Sequence, residues 1–307
     1  MAKVSIIIPT YNCLFFLPTA INSVLDQMHQ DYELLIINDN STDDTENYLK
    51  TLTDKRIITI TTSGVGAAQA RNIGIAKASG EFIAFLDADD FWLPEKLSLQ
   101  LELHDMHPNL AMSFTNYDNL NESYESIIDG FSYSGQFQGK KEQFITLKKP
   151  IDFIIRNNVI GTSTVMVKTS VLTNMQCFNE DLNYCEDWDL WLRICENHDI
   201  GILNSIQTCY LMRKDSITRT NELLLSNLQC IELILKRYQK GQRHWKLSSS
   251  AINSAKANIS EGYADYHRGL YQYHTAIKYS IRSLFLAPKK RRIRRFLGDC
   301  KSLLLPI

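Results

Sequence analysis

The chain has 307 residues, 44% of them hydrophobic and 22% charged, which is enough apolar material for a sizeable core and excludes a disordered or fibrous chain. Its formal net charge of -1 hides an uneven distribution, with acids gathered at 39–46, 87–90 and 180–189 and the basic run "KKRRIRR" from Lys289 to Arg295, so overall charge selects no partner. Seven scattered cysteines without a CxxC pair or a zinc-type Cys/His spacing favour reduced thiols.

Val4 to Leu25 carries no charged residue and follows Lys3, so a signal peptide or membrane span has to be weighed. Pro9, Tyr11, Asn12, Pro18 and Asn22 interrupt it at intervals that fit a strand, a loop and a helix, and no cleavage site is evident. "KVSIIIPTYN" therefore reads as a β-branched strand stopped by a Pro-containing loop, and "FLPTAINSVLDQ" as a helix with Ile21, Val24 and Leu25 on one face. "YELLIIND" is a second buried strand, and "STDDTENYLKTL" opens a helix with capping residues. "RIITITT" is a third buried strand, "GVGAAQARNIGIAKAS" a Gly-containing loop and helix, and "EFIAFLDADD" a fourth strand.

Buried strands alternating with helices predict βαβ units, hence an α/β chain whose mainly parallel sheet has helices on both faces. Ligands bind such sheets beyond the carboxyl ends of the strands. Those ends carry Pro9 to Asn12, Asn38 to Asp43 and Asp87 to Asp90, so three polar clusters are expected around one crevice.

Residues 110–160 are polar and aromatic without a clear period, which fits a long loop or short hairpins. "GTSTVMVKTSVL" restores a strand, and "EDLNYCEDWDLWLRICENH" predicts a helix beginning near Glu186. From residue 221 long helices take over, giving a division at 1–220 and 221–307. "GYADYHRGLYQYHTAIKYSIRSLFLAP" resembles one helical hairpin of a tetratricopeptide array, but one such unit cannot bury its own faces, so it reads as an α-helical appendage.

The chemistry-bearing stretch is "FLDADDFW". Asp-x-Asp at a strand end suits a hard divalent ion, Mn²⁺ or Mg²⁺, which takes one or two carboxylates together with substrate phosphates. An acidic helix cap is the competing explanation. The strand followed by Asp-x-Asp also resembles the nucleophile motif of haloacid-dehalogenase-type phosphatases. Phe91 and Trp92 break that pattern, and the motif lies far from the chain start.

"VSIIIPTYN" (4–12), "LLIINDNSTDDT" (34–45), "GAAQARNIGIAKASGEFIAFLDADD" (66–90) and "EDWDLWLRI" (186–194) together resemble, in order, the motifs of inverting family 2 glycosyltransferases of the GT-A (Rossmann-like) fold, over about the first 220 residues. The resemblance implies transfer of a sugar from a nucleotide sugar, UDP-linked by preference, to an acceptor hydroxyl in cell-surface polysaccharide or glycolipid synthesis. It implies that Pro9, Thr10 and Tyr11 form a first loop against the nucleotide, with Tyr11 stacking on the base. Asp39 would accept from the base, with Ser41 and Asp43 capping the next helix, and Arg71 would approach the nucleotide or the diphosphate. Asn38 stands where many relatives carry a further acid.

By the same resemblance Asp89 is the direct metal ligand, Asp87 bridges ribose and metal, and Asp187 is the general base that takes the acceptor proton. Asp90 is expected to cap the following helix. Glu186 and Trp188 would face the acceptor, although Trp188 and Trp191 also fit a core position, and Asp189 is expected to be solvated or to cap. Relatives commonly carry a His in the segment that here reads "YLMRKDSIT", where Arg213 occupies the His position. Arg213, helped by Lys214, would then contact the diphosphate as a cation.

The basic tail mixes Lys289 to Arg295 with Phe296, Leu297, Leu303, Leu304 and Leu305, which fits an anionic membrane surface. It carries no aromatic readout or module for nucleic acid. Together with the resemblance this gives a cytoplasmic enzyme, peripheral at the inner face of the membrane, whose acceptor is a glycan or lipid-linked saccharide. The competing class is a non-catalytic glycan-binding or scaffold subunit that retains the fold.

Overall fold

The computed structural model describes residues 3–137, 139–213, 221–239 and 247–304. The chain divides into two compact units, Met1–Pro150 with Val159–Asp181 and Glu186–Arg213, and Ile151–Asn158 with Leu182–Cys185 and Lys214–Ile307.

The first unit opens with β1 (Val4–Thr10), α1 (Leu17–Leu25), β2 (Tyr32–Asn38), α2 (Thr45–Lys50), β3 (Ile57–Thr61), α3 (Ala67–Lys77) and β4 (Phe82–Phe85). These are the alternating elements that the apolar runs predict. β1 pairs in parallel with β2 and β4, and β2 with β3. Successive side chains of a strand point to opposite faces. Ile6 and Ile8 accordingly join Leu17, Ala20, Ile21 and Val24 of α1 in one buried cluster, whereas Ile7 meets α3. A Cβ on Gly74 of α3 would stand 2.6 Å from the Ile7 side chain, so only glycine lets the helix lie this low on the strand. β3 is a correction: it is an edge strand rather than a buried one, with Ile58 44% exposed.

The chain continues through β5 (Phe91–Trp92), α4 (Lys96–Met106), β6 (Met112–Leu120), β7 (Ser126–Asp129), α5 (Gly130–Ser134), β8 (Phe144–Leu147), α6 (Ile151–Ile154), a 3-10 turn (Thr162–Thr164), β9 (Met166–Lys168), α7 (Thr169–Thr173), α8 (Glu186–Cys195) and β10 (Ile200–Leu211). The sheet runs β3-β2-β1-β4-β9-β6-β10-β5, with β7 on β6 and β8 on β10. β6 and β10 form a second parallel pair, and the short strand β9 joins it antiparallel to β4. The segment 110–160 thus supplies one interior strand and two short antiparallel partners. "GTST" forms a 3-10 turn, and the strand expected there shrinks to Met166–Lys168.

In the second unit, α6 is followed by α9 (Asn221–Gln239), α10 (Ser249–Gly269), α11 (Tyr273–Leu286) and α12 (Lys290–Leu304). Ser248 caps α10 by accepting from the Ala251 amide at 3.1 Å. α12 is held by charge. Arg291 and Arg292 donate to Glu261 at 3.1 and 3.0 Å, Arg295 donates to Asp265 at 2.6 Å, and Asp299 accepts from Arg268 at 2.6 Å and Ser280 at 2.7 Å. Among the described residues no helix is long and apolar enough to cross a membrane.

Candidate functional site

The site is assembled at the carboxyl ends of β1, β2 and β4. Pro9 and Thr10 pair with Ile37 and Asn38 inside the β1–β2 ladder, so the loop expected from Pro9 starts instead at Tyr11, which is 59% exposed. Asn12 follows in a left-handed conformation, φ 48°, which Asn tolerates better than most residues. Its Oδ1 accepts from the Thr42 amide at 2.7 Å and the Asp43 amide at 3.3 Å, while its own amide donates to Ser41 Oγ at 3.0 Å. The Leu14 amide donates to Asp43 Oδ2 at 3.2 Å. Ser41 and Asp43 therefore lash two loops together, and Asp43 also accepts from the Thr45 amide at 3.1 Å at the start of α2.

Asp39 follows β2 and is buried. It accepts from Thr62 Oγ1, from the Val65 amide at 2.7 Å and from the Gly66 amide at 2.8 Å. Burial disfavours its charge, but these bonds outweigh it and hold the carboxyl below its ordinary value. Gly64 and Gly66, both at φ 87°, give the backbone the left-handed turns that bring those amides to one carboxylate.

The acids after β4 go to different places. Asp87 accepts from Arg71 Nη2 at 2.7 Å, and Asp89 pairs with Arg213 Nη2 at 3.1 Å. Asp90 caps no helix. It is 2% exposed, accepts from Ser163 Oγ at 2.5 Å and from the Leu211 amide at 3.3 Å, and is pushed well up by burial and by the charges of Asp89 and Asp87.

Arg71, on α3, is buried between two carboxylates. Nη1 donates to Glu186 at 2.8 Å as Nη2 reaches Asp87, and the guanidinium lies 5.4 Å from the centre of the Phe178 ring. Burial alone would lower its pKa, but Asp87 and Glu186 raise it, so it stays charged. Arg71 thereby ties the acidic strand end to the start of α8. Burial and the neighbouring Asp187 charge push Glu186 upward, against the pull of Arg71.

Asp187 Oδ2 accepts from Thr162 Oγ1 at 2.7 Å. Thr162 and Ser163 are residues that periodicity does not mark out. Ser163 Oγ accepts from the Asp87 amide at 3.0 Å and donates to Asp90. One 3-10 turn thus grips both acidic clusters. Asp189 is neither solvated nor a cap: it is 2% exposed and bonded to Arg193 at 2.7 Å. Trp188 is 4% exposed and Trp191 is fully buried against Phe85 and Phe178, so neither ring presents an open face for a sugar. Lys214 lies outside the described residues.

Arg213, at the end of β10, also stands 4.9 Å from the centre of the Phe16 ring, so the first loop, Asp89 and β10 meet at its guanidinium. Among the described residues no cluster of three or more His, Cys, Asp or Glu is arranged to hold a metal ion. The available donor set is Asp87 and Asp89. Two carboxylates fit a hard divalent ion that draws its other ligands from substrate phosphates.

A mostly parallel strand–helix sheet of this topology, with polar loops beyond the carboxyl ends of β1 and β2 and an acid-bearing end on β4, defines a GT-A-type fold. The family model of glycosyl transferase family 2 matches residues 5–164, and the chain belongs to that family. It is 34% identical over 218 residues to WfgD of Escherichia coli, named UDP-Glc:alpha-D-GlcNAc-diphosphoundecaprenol beta-1,3-glucosyltransferase, covering 70% of this chain and 79% of that one. It is 36% identical over 223 residues to an uncharacterized glycosyltransferase of Rickettsia bellii, covering 72% of this chain but only 30% of that longer protein. The fold matches the crystal structure of S. aureus TarS 1-349 in complex with UDP-GlcNAc with a TM-score of 0.61 at 17% identity, over 98% of this chain and 91% of that one.

Proposed function

We propose that the chain is a metal-dependent inverting glycosyltransferase that moves a sugar from a nucleotide sugar, UDP-linked by preference, to a hydroxyl of a lipid-linked saccharide in surface-glycan synthesis. Residues 1–220 would form the catalytic domain and 221–307 its helical region, working at the cytoplasmic face of the membrane. The observation that carries this reading is the bridging of the strand-end acids to the α8 acids by Arg71 and by the Thr162–Ser163 turn. The name of the E. coli relative supports a UDP sugar and a lipid-diphosphate acceptor.

In this reading Asp187 accepts the proton of the acceptor hydroxyl as its oxygen attacks the anomeric carbon, from the face opposite the departing diphosphate. The carbon–oxygen bond to the diphosphate breaks and the electron pair leaves with it. Thr162 holds one carboxylate oxygen of Asp187, leaving the group oriented before substrate arrives. Tyr11 offers an exposed ring for the base, Asp39 shapes the base side, and Arg213 supplies positive charge for the diphosphate. Asp89, with Asp87, would hold Mn²⁺ or Mg²⁺, which when bound neutralises charge on the leaving group. Glu186 holds Arg71, so its part in acceptor binding is indirect.

Purified protein incubated with UDP-, GDP- and dTDP-sugars and a lipid-diphosphate saccharide tests the proposal. Transfer that disappears in Asp187→Asn supports it. A chain that binds nucleotide but neither transfers nor hydrolyses any donor would be the scaffold subunit instead.

A further inference from the structure

Much of the basic run is already committed inside the second unit. Arg292 is 1% exposed and bonds Glu261 at 3.0 Å and Asn258 at 2.6 Å, while Arg291 and Arg295 share the acids of α10. The surface that α12 turns outward is a different one. Lys290, Ile293, Arg294, Leu297 and Lys301 recur at helical spacing and are all exposed, Ile293 by 47% and Leu297 by 58%. Arg292 and Asp299 mark the buried side of the same helix. Of the apolar residues expected at this surface, Phe296 and Leu303 are half-buried, Leu297 is exposed, and the Leu304 side chain and Leu305 lie outside the described residues.

Two branched apolar side chains beside three long cations, with no acid on that face, suit one kind of environment. An acidic protein partner would satisfy the cations but gain little from Ile293 and Leu297, and nucleic acid would find no aromatic or amide groups there to read bases. At an anionic lipid surface both sets gain: the apolar side chains enter the acyl boundary while the Lys and Arg heads extend to the phosphates. We propose that this face of α12 is a docking surface for anionic lipid, built from Lys290, Ile293, Arg294, Leu297 and Lys301 and independent of the transfer chemistry. Buried Arg292, with the ion pairs of Arg291 and Arg295, serves to fix the helix so that this face is presented.

Deleting the tail is a poor test, because it removes Arg292 and Asp299 from their buried partners. The full chain is instead sedimented with vesicles of phosphatidylcholine alone or mixed with phosphatidylglycerol, at low and high salt. Binding is expected only to the anionic vesicles and is expected to weaken with salt. The Lys290→Ser/Arg294→Ser/Lys301→Ser variant should bind about a hundredfold more weakly, about fivefold for each cation. Ile293→Ser/Leu297→Ser should also lose binding while keeping the wild-type circular dichroism spectrum and nucleotide-sugar hydrolysis in solution. Wild-type protein that ignores anionic vesicles, or variants that bind as tightly as wild type, would overturn the proposal. So would ultracentrifugation showing a wild-type dimer that these substitutions convert to monomer, since the face would then belong to a second copy.

Discussion

Thr162 donates a 2.7 Å hydrogen bond to Asp187, and its neighbour Ser163 accepts one of 3.0 Å from the amide of Asp87. A single turn therefore sets the spacing between the group proposed to deprotonate the acceptor and the strand end proposed to hold the diphosphate. A hydrogen bond to a charged acceptor contributes about 1.5–3 kcal/mol, so Thr162→Val should lower kcat/KM about 10- to 100-fold. Thr162→Ser should restore most of it. Nucleotide affinity measured by calorimetry should stay near wild type in both, and a Thr162→Val enzyme with normal turnover would remove this contact from the mechanism.

Asp187→Asn keeps the shape of the side chain and removes its capacity to take a proton. General-base catalysis is worth about 10²–10⁴ in rate, and a loss in that range is expected in single-turnover transfer. Donor KM should hardly change, which separates this effect from a collapsed site.

Arg71 serves two acids from a buried position, with only 7% of its side chain exposed. Breaking a buried ion pair by removing one partner costs about 3–5 kcal/mol. Arg71→Met should lower the urea midpoint accordingly, and it should also abolish transfer, because both acidic clusters lose their common cation. A variant with wild-type stability would show that the two ion pairs contribute nothing to folding.

Arg213 and the metal can be separated by titration. Arg213→Ala should raise donor KM or reduce turnover strongly, while leaving a requirement for Mn²⁺ or Mg²⁺ that EDTA reveals and added metal restores. Asp89→Asn should instead weaken the metal-dependent thermal shift seen with UDP. Unchanged kinetics in Arg213→Ala would take that residue out of the site.

The depressed pKa of Asp39 makes a pH prediction. Its folded value lies below the unfolded one, so its stabilisation is complete above the unfolded value of about 4 and is lost as pH falls through the folded value. Wild type and Asp39→Asn should therefore differ most in denaturant midpoint at about pH 7, and the difference should shrink as pH falls below the unfolded value toward the folded one. A difference that stays the same as pH falls would assign the effect to packing.

Strands β1, β2 and β4, the Asp-rich strand end and the start of α8 at Glu186 were legible because apolar period and capping chemistry act over a few neighbouring residues. β6 and β10 were not. Their residues alternate irregularly, and β10 carries register shifts between Leu203 and Thr208, so neither shows a clean period. The places of Asp90 and Asp189 depart from the local pattern for another reason. Neighbouring sequence favours a cap, but Ser163 and the Leu211 amide reach Asp90 from 73 and 121 residues away. Arg193 reaches Asp189 from the next turn of a helix whose burial only the assembled fold reveals. The 3-10 turn is hidden because the β-branched Thr and Val residues of "GTSTV" suit a strand equally well.

The missing side chain at Gly74 has a reach beyond its own helix. It sits one turn after Arg71 on α3, directly over Ile7. A single methyl there would act as a wedge between helix and sheet and lift the guanidinium from both carboxylates. The alignment of the acidic clusters thus depends on an empty space the size of one carbon atom.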